Sequence, residues 1–167
     1  YSMNTSNHDE LKKAYDWLVD QRETMHPVYA GDDVIDNMIS GNKAMAVVYS
    51  GDGAYIMSEN EDMDFFVPEQ GSNVWYDSMV ITKQCKDTKL ANEFLNFMLR
   101  EDVAKQNTEY VGYDSAVKSV YEYFRDDEYE GISACAPDIS NPLNETFKYQ
   151  DTELKEFCAG LWTKVKS

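Results

Sequence analysis

Trp75 and Asp77 stand two residues apart in the run GSNVWYDSMVI, residues 71–81. An indole face attracts a cation within about 6 Å, by roughly 0.5 to 2 kcal/mol depending on desolvation. It also covers methylene groups without needing hydrogen bonds. A carboxylate nearby pairs with an ammonium through a charge-assisted hydrogen bond, the stronger kind. On a strand the side-chain period is two, so Trp75 and Asp77 would share one face and Tyr76 would point away. That face offers an aromatic wall and an anion, which suits a ligand with a cationic head on an aliphatic stem. A second pair, Tyr49 and Asp52, ends and follows the apolar run AMAVVY, residues 44–49. Each residue also has a structural alternative. Trp75 suits a domain boundary and Asp77 a turn cap. Tyr49 suits the end of a core strand, and Asp52 the N-cap of the next helix, a role Asp favours.

Such residues need elements to hold them. Asn7 reads as a helix cap with Glu10 reaching back in a capping box. Leu11, Ala14, Tyr15, Leu18 and Val19 then recur at helical spacing. His26 to Ala30 reads as a short strand. Val34, Ile35, Met38 and Ile39 make a short helix stopped by Gly41. The run 44–49 has the length and apolar content of a buried strand. Ser50-Gly51-Asp52-Gly53 follows, and then a helix through Ala54, Tyr55 and Met57. Asp64 to Val67 is a further strand, closed by Pro68 and Gly71. Asp87 caps a helix carrying Leu90, Phe94, Leu95 and Met98, and a second spans Asp102 to Tyr110 up to Gly112. Asp114 caps a third, with Val117, Val120, Tyr121 and Phe124 on one face. Residues 126–149 look irregular, with Pro137 and Pro142 as breakers. The last helix begins near Asp151 and carries Leu154, Phe157, Leu161, Trp162 and Val165. Alternating strands and helices predict an α/β architecture, and open α/β sheets place ligands beyond the carboxyl ends of strands. Asp52 directly follows the strand 44–49, and Trp75 to Asp77 stand at the mouth of a strand through Val80, Ile81, Thr82 and Lys83.

Composition narrows the function. The chain has 167 residues, one or two domains by length, and is 43% hydrophobic and 13% aromatic, enough for a folded core. Fifteen basic residues against 31 acidic ones give a net charge of −16. Binders of nucleic acid need a basic footprint, so no nucleic acid is expected as a partner. An acidic field raises the local concentration of cations, and it equally serves as a solvated surface. No apolar run approaches the roughly 18 residues that cross a bilayer. The N-terminus, Tyr1-Ser2-Met3-Asn4-Thr5, lacks the basic and apolar regions of a signal peptide, as a mature product also would. Cys85, Cys135 and Cys158 contain no CxxC pair, so neither a disulfide framework nor a cysteine zinc site is expected. A single Cys135–Cys158 bridge stays open. His8 and His26 form no metal pair. Without a Ser-His-Asp set, a Gly-rich phosphate loop or a metal cluster, neither catalysis nor a cofactor is expected.

Four stretches carry a resemblance: VVYSGDGAY (47–55), FFVPEQGSNVWYDSMVI (65–81), ANEFLNFMLREDVAKQNTEYVGY (91–113) and YQDTELKEFCAGLWTKVKS (149–167). In this order, over nearly the whole chain, they resemble the periplasmic spermidine/putrescine-binding proteins, the solute receptors of polyamine ABC importers. Pro68 to Gly71 followed by Asp77-Ser78, and then FLNFMLREDVA, is the specific part. The resemblance implies an α/β, type II periplasmic-binding-protein fold of two lobes, here its C-terminal half, with a mixed sheet and flanking helices. Residues 1–72 would belong to lobe two, and 73–125 to a crossing strand and helices mainly of lobe one. Residues 126–167 would return to lobe two and end in the C-terminal helix. Trp75 would stack on polyamine methylenes and Asp77 would pair with an amine. Tyr49 matches a position that is usually Trp, and Asp52 an acidic position of putrescine-preferring members. Tyr113 matches a Tyr facing the cleft and Gln150 a polar cleft residue, with Lys148 as the competing match. Glu69 and Gln70 read as turn residues. The implied protein is a non-catalytic, extracytoplasmic receptor, periplasmic or anchored on a Gram-positive cell surface. It would bind putrescine or spermidine in the inter-lobe cleft, close by a hinge and dock on the permease subunits of the transporter. The alternatives are another small cationic solute on the same scaffold, or a truncated fragment that mainly self-associates.

Overall fold

Helix α1 (His8–Met25) starts at Asn7, but without the expected capping box. Asn7 Oδ1 accepts from the Asp9 N–H at 2.9 Å, and the Asn7 N–H donates to Thr5 Oγ1. The Thr5 hydroxyl in turn donates to Glu10, which is therefore not free to reach back to the cap. At the other end His26 takes a left-handed conformation, φ 51°, and its N–H donates to the Arg22 carbonyl. That reversal caps the helix, and no strand forms over His26 to Ala30. The computed structural model describes residues 1–128 and 140–167. These fall into two compact units, and the chain passes between them at Gly31, Glu69, Trp75 and Ser140.

The first unit comprises 1–31, 70–75 and 141–167. Strand β1 (Asn73–Val74) pairs in parallel with β2 (Glu145–Thr146), in the register Asn73 to Glu145 and Val74 to Thr146. Beside the pair, the Ser72 N–H donates to Asn144 Oδ1 at 2.8 Å. Gly71, at φ 90°, lies so close to the Leu143 backbone that no Cβ could fit there, so both space and conformation select glycine. Asp151 caps α7 (Thr152–Lys166) by accepting the Leu154 N–H at 2.9 Å, as expected. Helix α7 packs on α1. His8 stacks on Phe157 with centroids 4.0 Å apart, and Arg22 Nη1 donates to the Val165 carbonyl at 2.9 Å. Leu154 and Val165 are buried.

The second unit comprises 32–69 and 76–140. Its helices are α2 (Asp33–Ile39), α3 (Ser50–Glu59), α4 (Thr88–Met98), α5 (Glu101–Val111) and α6 (Lys118–Tyr123), with a π-turn over Phe124–Glu128. Met38 of α2 and Ile56 of α3 are buried where those two helices pack. Asp87 caps α4 through the Leu90 N–H at 2.9 Å, and Gly112 ends α5, both as expected. Asp114 does not cap α6. The helix is entered from Val117, whose N–H donates to Ser115 Oγ instead. Ala104, Val120 and Phe124 form the core, flanked by Val117 and Tyr123. Burying a side chain such as Phe124 contributes about 1.5–3 kcal/mol.

The runs 44–49, 64–67 and 80–83 form no strands among the described residues. The first does keep a two-residue alternation, with Ala46 and Val48 half-buried and Met45, Val47 and Tyr49 exposed. A strand needs a neighbour's N–H and C=O groups as well as apolar content, and no described segment supplies them to these runs. Conversely, β2 lies within 126–149, where only irregular structure was expected. Residues 129–139, including Cys135 and Pro137, lie outside the described residues, while Cys85 and Cys158 are free thiols. No helix among the described residues is long and apolar enough to cross a membrane.

Candidate functional site

Tyr49 is extended, φ −73° and ψ 156°, and occupies the N-cap position of α3. The stretch expected to precede the helix, Ser50 to Gly53, is its first turn, closed by the Gly53 N–H donating to the Tyr49 carbonyl at 2.9 Å. Asp52 is therefore the third helical residue and not the N-cap. Its carboxylate lies in the first turn, where the helix favours negative charge, and its side chain is half-buried.

The C-terminus of α5 approaches this turn from the side. Gly112 is left-handed, φ 70°, which turns the chain so that Tyr113 lies against Gly51. A Cβ at Gly112 would sit 3.2 Å from the Gly51 carbonyl oxygen. A Cβ at Gly51 would meet Cε2 and Cζ of Tyr113 at 2.6 Å and the Val111 carbonyl oxygen at 2.9 Å. At Gly53 it would meet the ring of Phe65 at 2.5 Å. Two rings thus close on the turn that carries Asp52, at places where only glycine leaves room.

The charges of three residues singled out from sequence reach the phenol of a fourth. The Tyr113 hydroxyl is held above the ordinary phenol range, chiefly by burial, and further by the charges of Asp52, Tyr49 and Asp77. Burial and the nearby carboxylate charges make phenolate costly and keep the proton on oxygen. Among the described residues no basic group lies within ion-pair distance of Asp52 or Asp77. The cluster therefore has two carboxylates to accept hydrogen bonds, a phenol that can both donate and accept, and the exposed ring of Tyr49. No group of three or more His, Cys, Asp or Glu among the described residues is arranged to hold a metal ion.

Trp75 and Gln150 belong to the first unit, and both are half-buried. Strand β1 ends at Val74, so no ladder holds Trp75, Tyr76 and Asp77 to alternating faces. Gln150 directly precedes the Asp151 cap of α7. Lys148 is exposed, with its N–H donating to Asn4 Oδ1 at 2.8 Å. Sequence reasoning missed Gly51, Gly53 and Phe65. The signal available is the Gly-Asp-Gly spacing around Asp52.

Over the part of it that this chain spans, the fold is that of a type II periplasmic binding protein. Residues 1–136 match the family described as bacterial extracellular solute-binding protein, and the chain belongs to that family. It is 30% identical over 115 residues to the spermidine/putrescine-binding periplasmic protein of Escherichia coli (strain K12), covering 68% of this chain and 32% of the relative. To the putrescine-binding periplasmic protein SpuD of Pseudomonas aeruginosa it is 26% identical over 177 residues, covering 100% of this chain and 47% of the relative. Among solved structures it resembles the spermidine/putrescine ABC transporter substrate-binding protein of Streptococcus pneumoniae, crystallised with calcium and HEPES. The TM-score is 0.83 at 29% identity, over 99% of this chain and 51% of that one. The chain thus spans between about a third and a half of the length of the curated relatives it matches. The resemblance carried by the four stretches is borne out in the names of these relatives.

Proposed function

We propose that the chain serves a polyamine ABC importer as part of its extracytoplasmic solute receptor, and that its ligand is a short aliphatic polycation. The observation that carries this reading is the cluster around Tyr113: Asp52 and Asp77 without a basic partner among the described residues, and the exposed ring of Tyr49. A carboxylate pairs with an ammonium far more strongly once water is excluded, and aromatic faces cover the methylenes between ammonium groups. In this reading Asp77 and Asp52 pair with amines, and Tyr49 and Trp75 stack on the stem. The Tyr113 hydroxyl accepts from an ammonium while donating to a carboxylate, and Gln150 adds a polar contact. The binding place is the one that the resemblance implies, and the partners are the permease subunits of the importer. No catalytic step belongs to this role.

The test is calorimetric titration with putrescine and spermidine, with neutral amino acids as controls. Asp77→Asn keeps the shape and removes the charge, and is expected to weaken putrescine binding at least about tenfold, or about 1.4 kcal/mol. An unchanged affinity would show that Asp77 does not pair with an amine. Binding of neutral amino acids in preference to both polyamines would overturn the ligand class.

A further inference from the structure

We propose that Gly51 is a positioning residue for the ligand: by lacking a Cβ it lets the Tyr113 ring lie against the first turn of α3, which sets the Tyr113 hydroxyl beside Asp52. The inference rests on the reading of this cluster as a polyamine site. Gly51 is the buried second residue of α3, has no left-handed φ and meets no demand for backbone freedom, so conformation does not account for it. Space does. The two closest atoms to a Cβ at this position, both 2.6 Å away, belong to the Tyr113 ring. The third, the Val111 carbonyl oxygen at 2.9 Å, belongs to the backbone that delivers Tyr113. An added methyl must push the ring and its carrier away from the turn, and with them the hydroxyl away from Asp52. Gly53 does not have this role, because a Cβ there meets Phe65, which carries no polar group for a ligand.

The arrangement has a chemical consequence. A half-buried phenol under the influence of the Asp52 and Asp77 charges keeps its proton, so it can bridge a carboxylate and an incoming ammonium without adding a charge of its own. Moved outward, it becomes an ordinary solvated phenol, and Asp52 must meet the ammonium alone. Gly51 would thus govern how well the acidic pair is completed, although it makes no ligand contact.

Two measurements on Gly51→Ala test this. In NMR of chain labelled with 13C at tyrosine Cζ, Tyr113 is assigned as the resonance missing from Tyr113→Phe. Its titration is expected to fall toward the ordinary phenol value in Gly51→Ala. Putrescine affinity is expected to fall about tenfold. In a Tyr113→Ala background, the same Gly51→Ala change is expected to cost less than about twofold, because there is no ring left to displace. An unchanged Tyr113 titration overturns the proposal, as does an affinity loss of the same size in both backgrounds. If Gly51→Ala fails to fold, rescue of folding by Tyr113→Ala supports the ring contact. Failure to rescue assigns Gly51 to the α3–α5 backbone contact and overturns the positioning role. If the unsubstituted chain binds no polyamine, the ligand reading falls, while the Tyr113 titration still decides what Gly51 does.

Discussion

Asp52 changes meaning once its place in α3 is known. As an N-cap its carboxylate would be spent on a backbone N–H, but as the third residue of the helix it is free to face the Tyr113 hydroxyl. In the proposed polyamine site Asp52 and Asp77 are two separate anionic points for one ligand. Putrescine has two ammonium groups on a four-carbon stem, and a buried ammonium left without a partner is costly. Spermidine carries a third charged amine that these two carboxylates do not match. Asp52→Ser is therefore expected to weaken putrescine binding more than spermidine binding in a competition titration. Equal losses, or a larger loss for spermidine, would reduce Asp52 to a general acidic wall.

At the scale of elements, the caps written into the sequence form where a single side chain meets a nearby N–H, as Asp87 does for α4 and Asp151 for α7. The exception is instructive. Glu10 is drawn to Thr5, two residues before the cap, so a competing local hydrogen bond displaced the expected box. A more distant device ties the N-terminal segment to β2. Glu145 accepts from the Ser2 hydroxyl and the Asn4 side chain, while Asn4 Oδ1 accepts the Lys148 N–H. The Ser2 bond, then the Asn4 bond, hold the Glu145 carboxyl below the ordinary carboxylate range. A lowered folded value means that this contribution is complete above the unfolded value, about 4.3, and is lost as the pH falls through the lowered folded value. Hydrogen exchange at the Lys148 amide is therefore expected to lose protection on acidification, relative to amides within α7. Glu145→Ala should show that loss already at neutral pH. Unaltered Lys148 protection in the variant would mean that the N-terminal segment is held by other contacts.

For the whole molecule, the net charge of −16 raises the local concentration of cations, and it equally serves as a solvated surface. Screening tests this. The Debye length falls from about 30 Å at 0.01 M salt to about 3 Å at 1 M. Putrescine affinity is expected to weaken several-fold over that range, and less steeply in Asp77→Asn. A salt-independent affinity would assign binding to stacking and shape, with the acidic field only keeping the protein in solution.

The sequence alone determined the features that local physics settles. Helix positions followed from apolar spacing, and the helix ends at Asp87, Asp151, Gly41 and Gly112 from single residues, because these depend on residues within about one turn of each other. It also determined the family, through side-chain types at fixed spacing. Only the tertiary structure decided the rest. AMAVVY reads as a strand, yet a ladder is a property of two segments, and no described segment pairs with it. Ser50 to Gly53 was expected only to precede a helix through Ala54, yet it is the first turn of α3, with Tyr113 and Phe65 lying against its two glycines. The effect of the Tyr49, Asp52 and Asp77 charges on the Tyr113 hydroxyl is likewise a matter of through-space charge, which no spacing along the chain encodes.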